Sequence, residues 1–316
     1  MKTIAVKKGI LSIPEIICDT RHTTIQDSRG GGSGGGVGRS SSDKQKPIYT
    51  SLHRTSNIIT NSINAQLKIK SLDEWKHYLV MIDYKIVKDG ERVLLTQQKI
   101  EQETYLFFYD YFSLHPYYQE IMFSYKTCIE YIKQLQTIDV LYNAFSIIKH
   151  NAIIFQKPNQ VEILTNQTPR LIFCDFTNSV DMLLDPYPNI PVNIDPDFSS
   201  PFMNVLRLFE KNKWKYNKDK IYSCDLKYIT QNIIGLSELM NVSEYKNSTY
   251  HDIYCRIKDN TYKTWDVYGV TKVWLSFLST ICYCNKHHTK FVGILNEIIS
   301  AGGKSPDEVL LLLDYY

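Results

Sequence analysis

The chain has 316 residues, 43% of them hydrophobic and 22% charged. That length and apolar content allow one large or two ordinary domains with a sizeable core, and they exclude wholesale disorder. Lys and Arg exceed Asp and Glu by three (36 against 33), and the lysines are scattered, so the sequence carries no strong nucleic-acid signal.

Residues 1–27 form a short head in which Thr3–Val6 and Ile10–Ile17 have strand character. Residues 28–46 are a Gly/Ser-rich flexible segment with almost nothing to bury. His77–Ile86 and Glu91–Gln97 read as two antiparallel strands, joined through Lys88-Asp89-Gly90, whose Asp-Gly favours a tight hairpin turn. Thr104–Phe112 and Tyr117–Leu141 show apolar residues at helical spacing, the second through Ile121, Tyr125, Cys128, Ile132 and Leu135.

Short β-rich runs follow at Ile153–Phe155, Val161–Leu164 and Arg170–Cys174, separated by turn-forming stretches. After the Pro-rich stretch beyond Asp185, helices are predicted over Phe202–Lys213, Asp225–Met240, Thr264–Tyr283, Lys290–Ser300 and Pro306–Tyr315. Strands come first and helices last, which predicts an α+β fold with segregated parts.

Seven dispersed cysteines, an odd number, and no evident signal peptide predict a reducing, cytoplasmic compartment. The sequons at Asn166, Asn241 and Asn247 would then stay unmodified. Cys282, Cys284, His287 and His288 lie close together but lack the two spaced ligand pairs of a structural zinc module. Val273–Tyr283 is too short to cross a bilayer, so no membrane association is expected. Lys211–Lys220 is basic with Trp214 and Tyr216 interleaved, a pattern that suits nucleic acid but reads first as a solvated helix end or loop.

Four stretches resemble the eukaryotic-type protein kinase superfamily, in particular the divergent kinase-like proteins of large DNA viruses. Leu94–Phe112 resembles a strand, hinge and short helix. Ile147–Leu164 with Leu171–Thr177 is similar to a catalytic loop, hairpin and metal-binding turn. Lys263–Leu278 resembles a buried helix opening on Trp265-Asp266-x-Tyr268, whose Asp caps the backbone of the catalytic loop. Leu295–Leu313 resembles the closing helices. The resemblance implies a two-lobed kinase-like fold, with a reduced β-rich small lobe at 47–98 and a helical large lobe at 99–316. An insertion at about 180–260 would lie within the large lobe.

Phosphoryl transfer needs an anion cradle, a Lys held by a Glu, an Asp that orients the attacking hydroxyl, and an Asn/Asp pair on magnesium. By the resemblance, Asp175 takes the metal-binding place and Asn159 that of the magnesium-binding Asn, so Mg-ATP is the cofactor such a site would take. His150-Asn151-Ala152 stands where His-Arg-Asp would, and Ala152 has no proton acceptor. In another register Asn151 is the magnesium ligand and Ser146 replaces the Asp. The base is missing either way. No acidic residue lies between Thr55 and Leu72, where the Glu partner belongs.

These features predict a pseudokinase that serves as a binding or scaffold module for virion or host proteins, in the host cytoplasm or in the virion. An active atypical Ser/Thr kinase and a structural virion or assembly protein are the alternatives. For the last of these, Tyr105, Phe108, Tyr109, Tyr111, Tyr117 and Tyr118 would supply a partner surface.

Overall fold

A computed structural model describes residues 48–54, 57–72, 75–87, 92–98, 100, 103–145, 152–158, 169–183, 195–233, 235–281 and 286–315. The head, the Gly/Ser segment, Lys88-Asp89-Gly90 and Val161–Leu164 lie outside the described residues. The fold is α+β, with small antiparallel sheets and many helices. Two compact units are distinguishable, one holding Met81–Ile100 with the preceding strand, the other Ser56–Val80 and Glu101–Tyr316. Residues 56–80 belong to the unit that holds the helices.

The smaller unit is a three-stranded antiparallel sheet of β1 (Ile48–Arg54), β2 (Asp83–Val87) and β3 (Arg92–Gln98), in the order β1-β3-β2. The β2–β3 register places Val87 opposite Arg92, as a hairpin requires. Val93 and Leu95 alternate on one buried face of β3, the period-two pattern of a half-buried strand. The predicted strand over His77–Ile86 is shorter. His77 and Tyr78 belong to the larger unit, where His77 closes a turn of 3-10 helix and Tyr78 bridges to Phe173.

The larger unit begins with α1 (Asn57–Lys70). Next come β4 (Tyr105–Phe107), α2 (Phe108–Leu114) and α3 (Tyr118–Thr137). Thr104–Phe112, predicted as one helix, thus splits, because Tyr105–Phe107 finds a backbone partner in β6 (Ile153–Gln156). Strand β6 also pairs with β7 (Arg170–Phe173), and β5 (Val140–Leu141) pairs with β8 (Val180–Asp181). All five spaced apolar residues of α3 are buried, as its period predicts.

The C-terminal helices are α4 (Pro201–Lys211), α5 (Ser223–Asn232), α6 (Tyr250–Leu278), α7 (Lys286–Ser300) and α8 (Pro306–Asp314). Helix α5 stops at Asn232, well short of the predicted Met240, and a second helical turn resumes at Leu236 after Gly235, whose φ is +79°. Helix α6 is 29 residues long and starts well before the predicted Thr264. Its first turn is fixed by a capping box between Thr249 and Asp252.

One apolar cluster joins α2, α3, α6, α7 and α8 around Trp274, Phe108 and Phe112. A second gathers Met203, Phe209, Ile229, Tyr254 and Trp265 from α4, α5 and α6. Of the aromatics expected to form a partner surface, Tyr105, Phe108 and Tyr111 are buried in the core, whereas Tyr117 is exposed. Among the described residues no helix is long and apolar enough to cross a membrane.

Candidate functional site

Asp266 sits in the middle of α6 and is buried beside β5. Its carboxylate accepts two consecutive backbone N–H groups, Tyr142 at 2.8 Å and Asn143 at 2.6 Å. Burial pushes its pKa up to about 6, against the lowering effect of those two amides. A carboxylate placed this way holds a loop by its backbone. The loop that Asp266 holds is Tyr142-Asn143, earlier in the chain than His150-Asn151-Ala152.

Ala152 itself is buried and leads into β6, where its carbonyl accepts from the amide of Cys174 at 3.0 Å. His150, Asn151, Ser146 and Asn159 lie outside the described residues. Trp265, the neighbour of Asp266, packs in the second cluster and donates its indole N–H to Thr261 Oγ1 at 3.1 Å.

The loop after β5 reads Tyr142-Asn143-Ala144-Phe145, all buried. Tyr142 stacks on Phe173 with centroids 4.9 Å apart, and its hydroxyl meets the carbonyls of Ala152, at 3.1 Å, and Cys174. Burial pushes the phenol pKa well up, so it stays a donor. Asn143 adopts a left-handed φ of 60°, which asparagine tolerates better than most residues, and its side-chain carbonyl is buried without a hydrogen-bond partner. Gly269 lets α6 come close to this loop. A Cβ there would stand 2.7 Å from that of Phe145.

Asp175 follows β7 in a tight turn with φ 60°, and its Oδ1 accepts the amide of Thr177 at 3.1 Å. Burial raises its pKa, and the hydrogen bonds from Thr177 oppose the rise. An Asp held in left-handed backbone at the end of a hairpin stores strain that the surroundings must hold in place. Phe176 is buried against Tyr78 and Tyr142, and its carbonyl accepts from Ser62 of α1 at 2.6 Å.

Helix α1 has a second tie to this region. Lys68 Nζ stands 2.6 Å from Asp181 Oδ1 and 3.3 Å from the carbonyl of Ile138. Asp181 is buried and also accepts the amide of Leu183 at 3.0 Å. Lys68→Met would strand that carboxylate. Breaking a buried pair costs about 3–5 kcal/mol, and because water reaches Lys68 the loss expected in urea unfolding is nearer about 2 kcal/mol. A loss under about 0.5 kcal/mol would mean that the pair is solvent-screened.

Chemically, Asp175 offers one hard carboxylate oxygen, a suitable ligand for magnesium. Among the described residues no group of three His, Cys, Asp or Glu side chains gathers to hold a metal ion. Asn159, the other residue expected to hold magnesium, lies outside the described residues. His287 and His288 lie at the start of α7, with Cys282 and Cys284 outside the described residues. No protein-family model matches this chain, and no curated protein sequence matches it.

The sequence signal found Asp266 and Asp175 but not the loop that Asp266 holds. Tyr142-Asn143-Ala144 carries no charged group, and a backbone amide leaves no mark in a sequence.

Proposed function

We propose that this protein is a pseudokinase, a kinase-like two-lobed fold kept as a binding or scaffold module for protein partners. One observation carries the reading: Asp266 of a long buried helix holds the amides of Tyr142 and Asn143, and the next residue is Ala144. If those two amides open a catalytic loop of the His-Arg-Asp type, Ala144 falls where the base would stand, and a methyl group can neither accept a proton nor orient a hydroxyl. Asp175, at the end of the β6–β7 hairpin, then falls in the metal-binding place.

Helix α1 supports the same reading. It presents Ser62 and Lys68 to Phe176 and Asp181, where an active kinase presents a Glu to a phosphate-binding Lys. Lys68 is engaged with Asp181, so this helix offers a fixed ion pair of its own instead of half a clamp. Virion or host proteins are the partners that the viral resemblance implies, with the host cytoplasm or the virion as the location.

The test is incubation of the purified full chain with magnesium and γ-labelled ATP, alone and with generic Ser/Thr substrates. Incorporation no greater than that of Asp175→Ala is expected. Transfer that the parent shows and Asp175→Ala lacks would make the protein an active atypical kinase. In the same preparation, about 2 mM Mg-ATP should stabilise by less than about 1 kcal/mol, which corresponds to a dissociation constant near millimolar or weaker.

A further inference from the structure

We propose that the surface ringing the first turn of α6 binds single-stranded nucleic acid. In the sequence the run Lys211–Lys220 has a pattern that suits nucleic acid but reads first as a solvated helix end or loop. The structure straps it against α6 and brings a second basic and aromatic element to the same place.

The strap is built from backbone. Tyr250 and His251 donate their amides to the carbonyls of Asp219 and Asn217, at 3.1 and 2.8 Å. Lys220 bridges to Thr249, and the amide of Ile221 reaches the carbonyl of Ser248 at 3.1 Å. Asp225, in the first turn of α5, accepts from the hydroxyl of Tyr250 at 2.5 Å. The loop and the start of α5 therefore meet at residues 248–251. The helix amides there are already used, so the helix end is not itself the binding feature.

Around this junction the side chains sort by role. Trp214 and Lys215 turn inward, Trp214 against Phe209 and Tyr250, and Lys215 onto Glu210 at 3.3 Å. What remains outside is mainly cationic and aromatic, with the exposed carboxylates of Asp219 and Glu244 among it. Lys211, Lys213, Lys218, Lys220, Lys227 and Lys246 are all exposed. Tyr216 and Tyr222 are 67% and 66% exposed, and Tyr228 is 49% exposed. Tyr216 lies near the ring of His251, with centroids 6.4 Å apart, and the Lys215 ammonium stands 5.5 Å from its centroid, yet two thirds of the residue stays exposed. Of the nearby carboxylates, Asp252 is spent on the cap of α6 and Asp225 on Tyr250, while Asp219 stands exposed among the lysines.

Lysines that neutralise phosphates, interleaved with flat rings on which bases stack, are the two requirements for gripping a single strand without reading its sequence. An acidic peptide would use the lysines and leave the rings unexplained. A duplex hides its base faces and would do the same. This inference is independent of the pseudokinase reading, since none of these residues belongs to the loop held by Asp266.

The experiment is fluorescence anisotropy of the full chain with a labelled oligothymidylate of about 20 nucleotides. Binding is expected at about 50 mM salt, weakening roughly 50-fold at 200 mM if about four phosphates are neutralised. Tyr216→Ala, Tyr222→Ala and Tyr228→Ala should each weaken it about fivefold or more with unchanged melting temperature, since these rings are exposed. Lys218→Glu combined with Lys220→Glu should abolish it. No binding at about 20 μM protein would overturn the proposal. So would duplex DNA of equal length binding as well, tyrosine variants that bind like the parent, or displacement by polyglutamate at equal charge, the last pointing to an acidic protein partner.

Discussion

Replacing Trp274 by alanine is expected to cost about 4 kcal/mol, a large part of the roughly 5–15 kcal/mol that holds a domain together. The side chain is fully buried where α6 meets α2 and α3. Its ring lies 4.8 Å from that of Phe108 and 5.5 Å from that of Tyr125, and its N–H donates to the carbonyl of Ile121 at 3.1 Å. Truncation removes the most contacts a side chain can make and leaves a cavity that these rings, themselves locked edge to face, cannot close. Trp274→Phe keeps most of the volume and forfeits the indole hydrogen bond, so about 1–2 kcal/mol is expected there. Urea unfolding followed by helical circular dichroism reads both, because the helices belong to the unit that holds Trp274. Equal losses for the two variants would mean that the hydrogen bond, not the packing, dominates.

How much of this could be read beforehand depended on what kind of signal each element leaves. Helix α3 was legible because its buried face repeats at i, i+3 and i+4, and Ile121, Tyr125, Cys128, Ile132 and Leu135 all face the core. The first half of α6 was passed over because Arg256, Lys258, Asp259 and Asn260 make it look like a polar loop. Two signals were nevertheless present: the Thr249-x-x-Asp252 capping box, and Tyr250, Ile253, Tyr254 and Ile257 at helical spacing, all buried. Tyr105–Phe107 could not have been told from helix locally. Its strand conformation comes from pairing with Ile154–Gln156, almost fifty residues later in the chain.

The candidate site divides along the same line. Trp265-Asp266 was recognisable because a buried carboxylate must be specified by its own side chain. Its partner was not, because Tyr142 and Asn143 contribute amides that any residue could contribute. Side-chain matching was therefore drawn to His150-Asn151-Ala152, of which only Ala152 is described, and it serves the hairpin. The Lys68–Asp181 pair was invisible for a different reason: its members are 113 positions apart and neither belongs to a recognisable motif.

Asp266→Ala should cost about 3–4 kcal/mol, since it leaves two buried backbone donors unsatisfied at about 1–3 kcal/mol each, partly offset by the carboxylate no longer being desolvated. Asp266→Asn can accept one amide but turns its own NH2 against the other, and about 2 kcal/mol is expected at pH 7. The pH dependence is the sharper reading. Asp266 ionises near 6 in the folded protein and near the ordinary 3.8 when exposed, so the folded state holds a proton that the unfolded state releases. With the folded value raised, this group favours folding increasingly as the pH falls from about 6 towards 4, and the gain is lost again as the pH rises through 6. At about 1.4 kcal/mol per pH unit, the stability gap between the parent and Asp266→Asn should widen by about 2 kcal/mol between pH 7 and pH 4.5. Other carboxylates titrate in both proteins and cancel in that difference. A gap that stays flat would place the Asp266 pKa near its ordinary value, and with it a site wetter than its burial implies. A gap that narrows would mean that the two amides outweigh desolvation, making the ionised carboxylate the form that the loop of Tyr142 and Asn143 is built around.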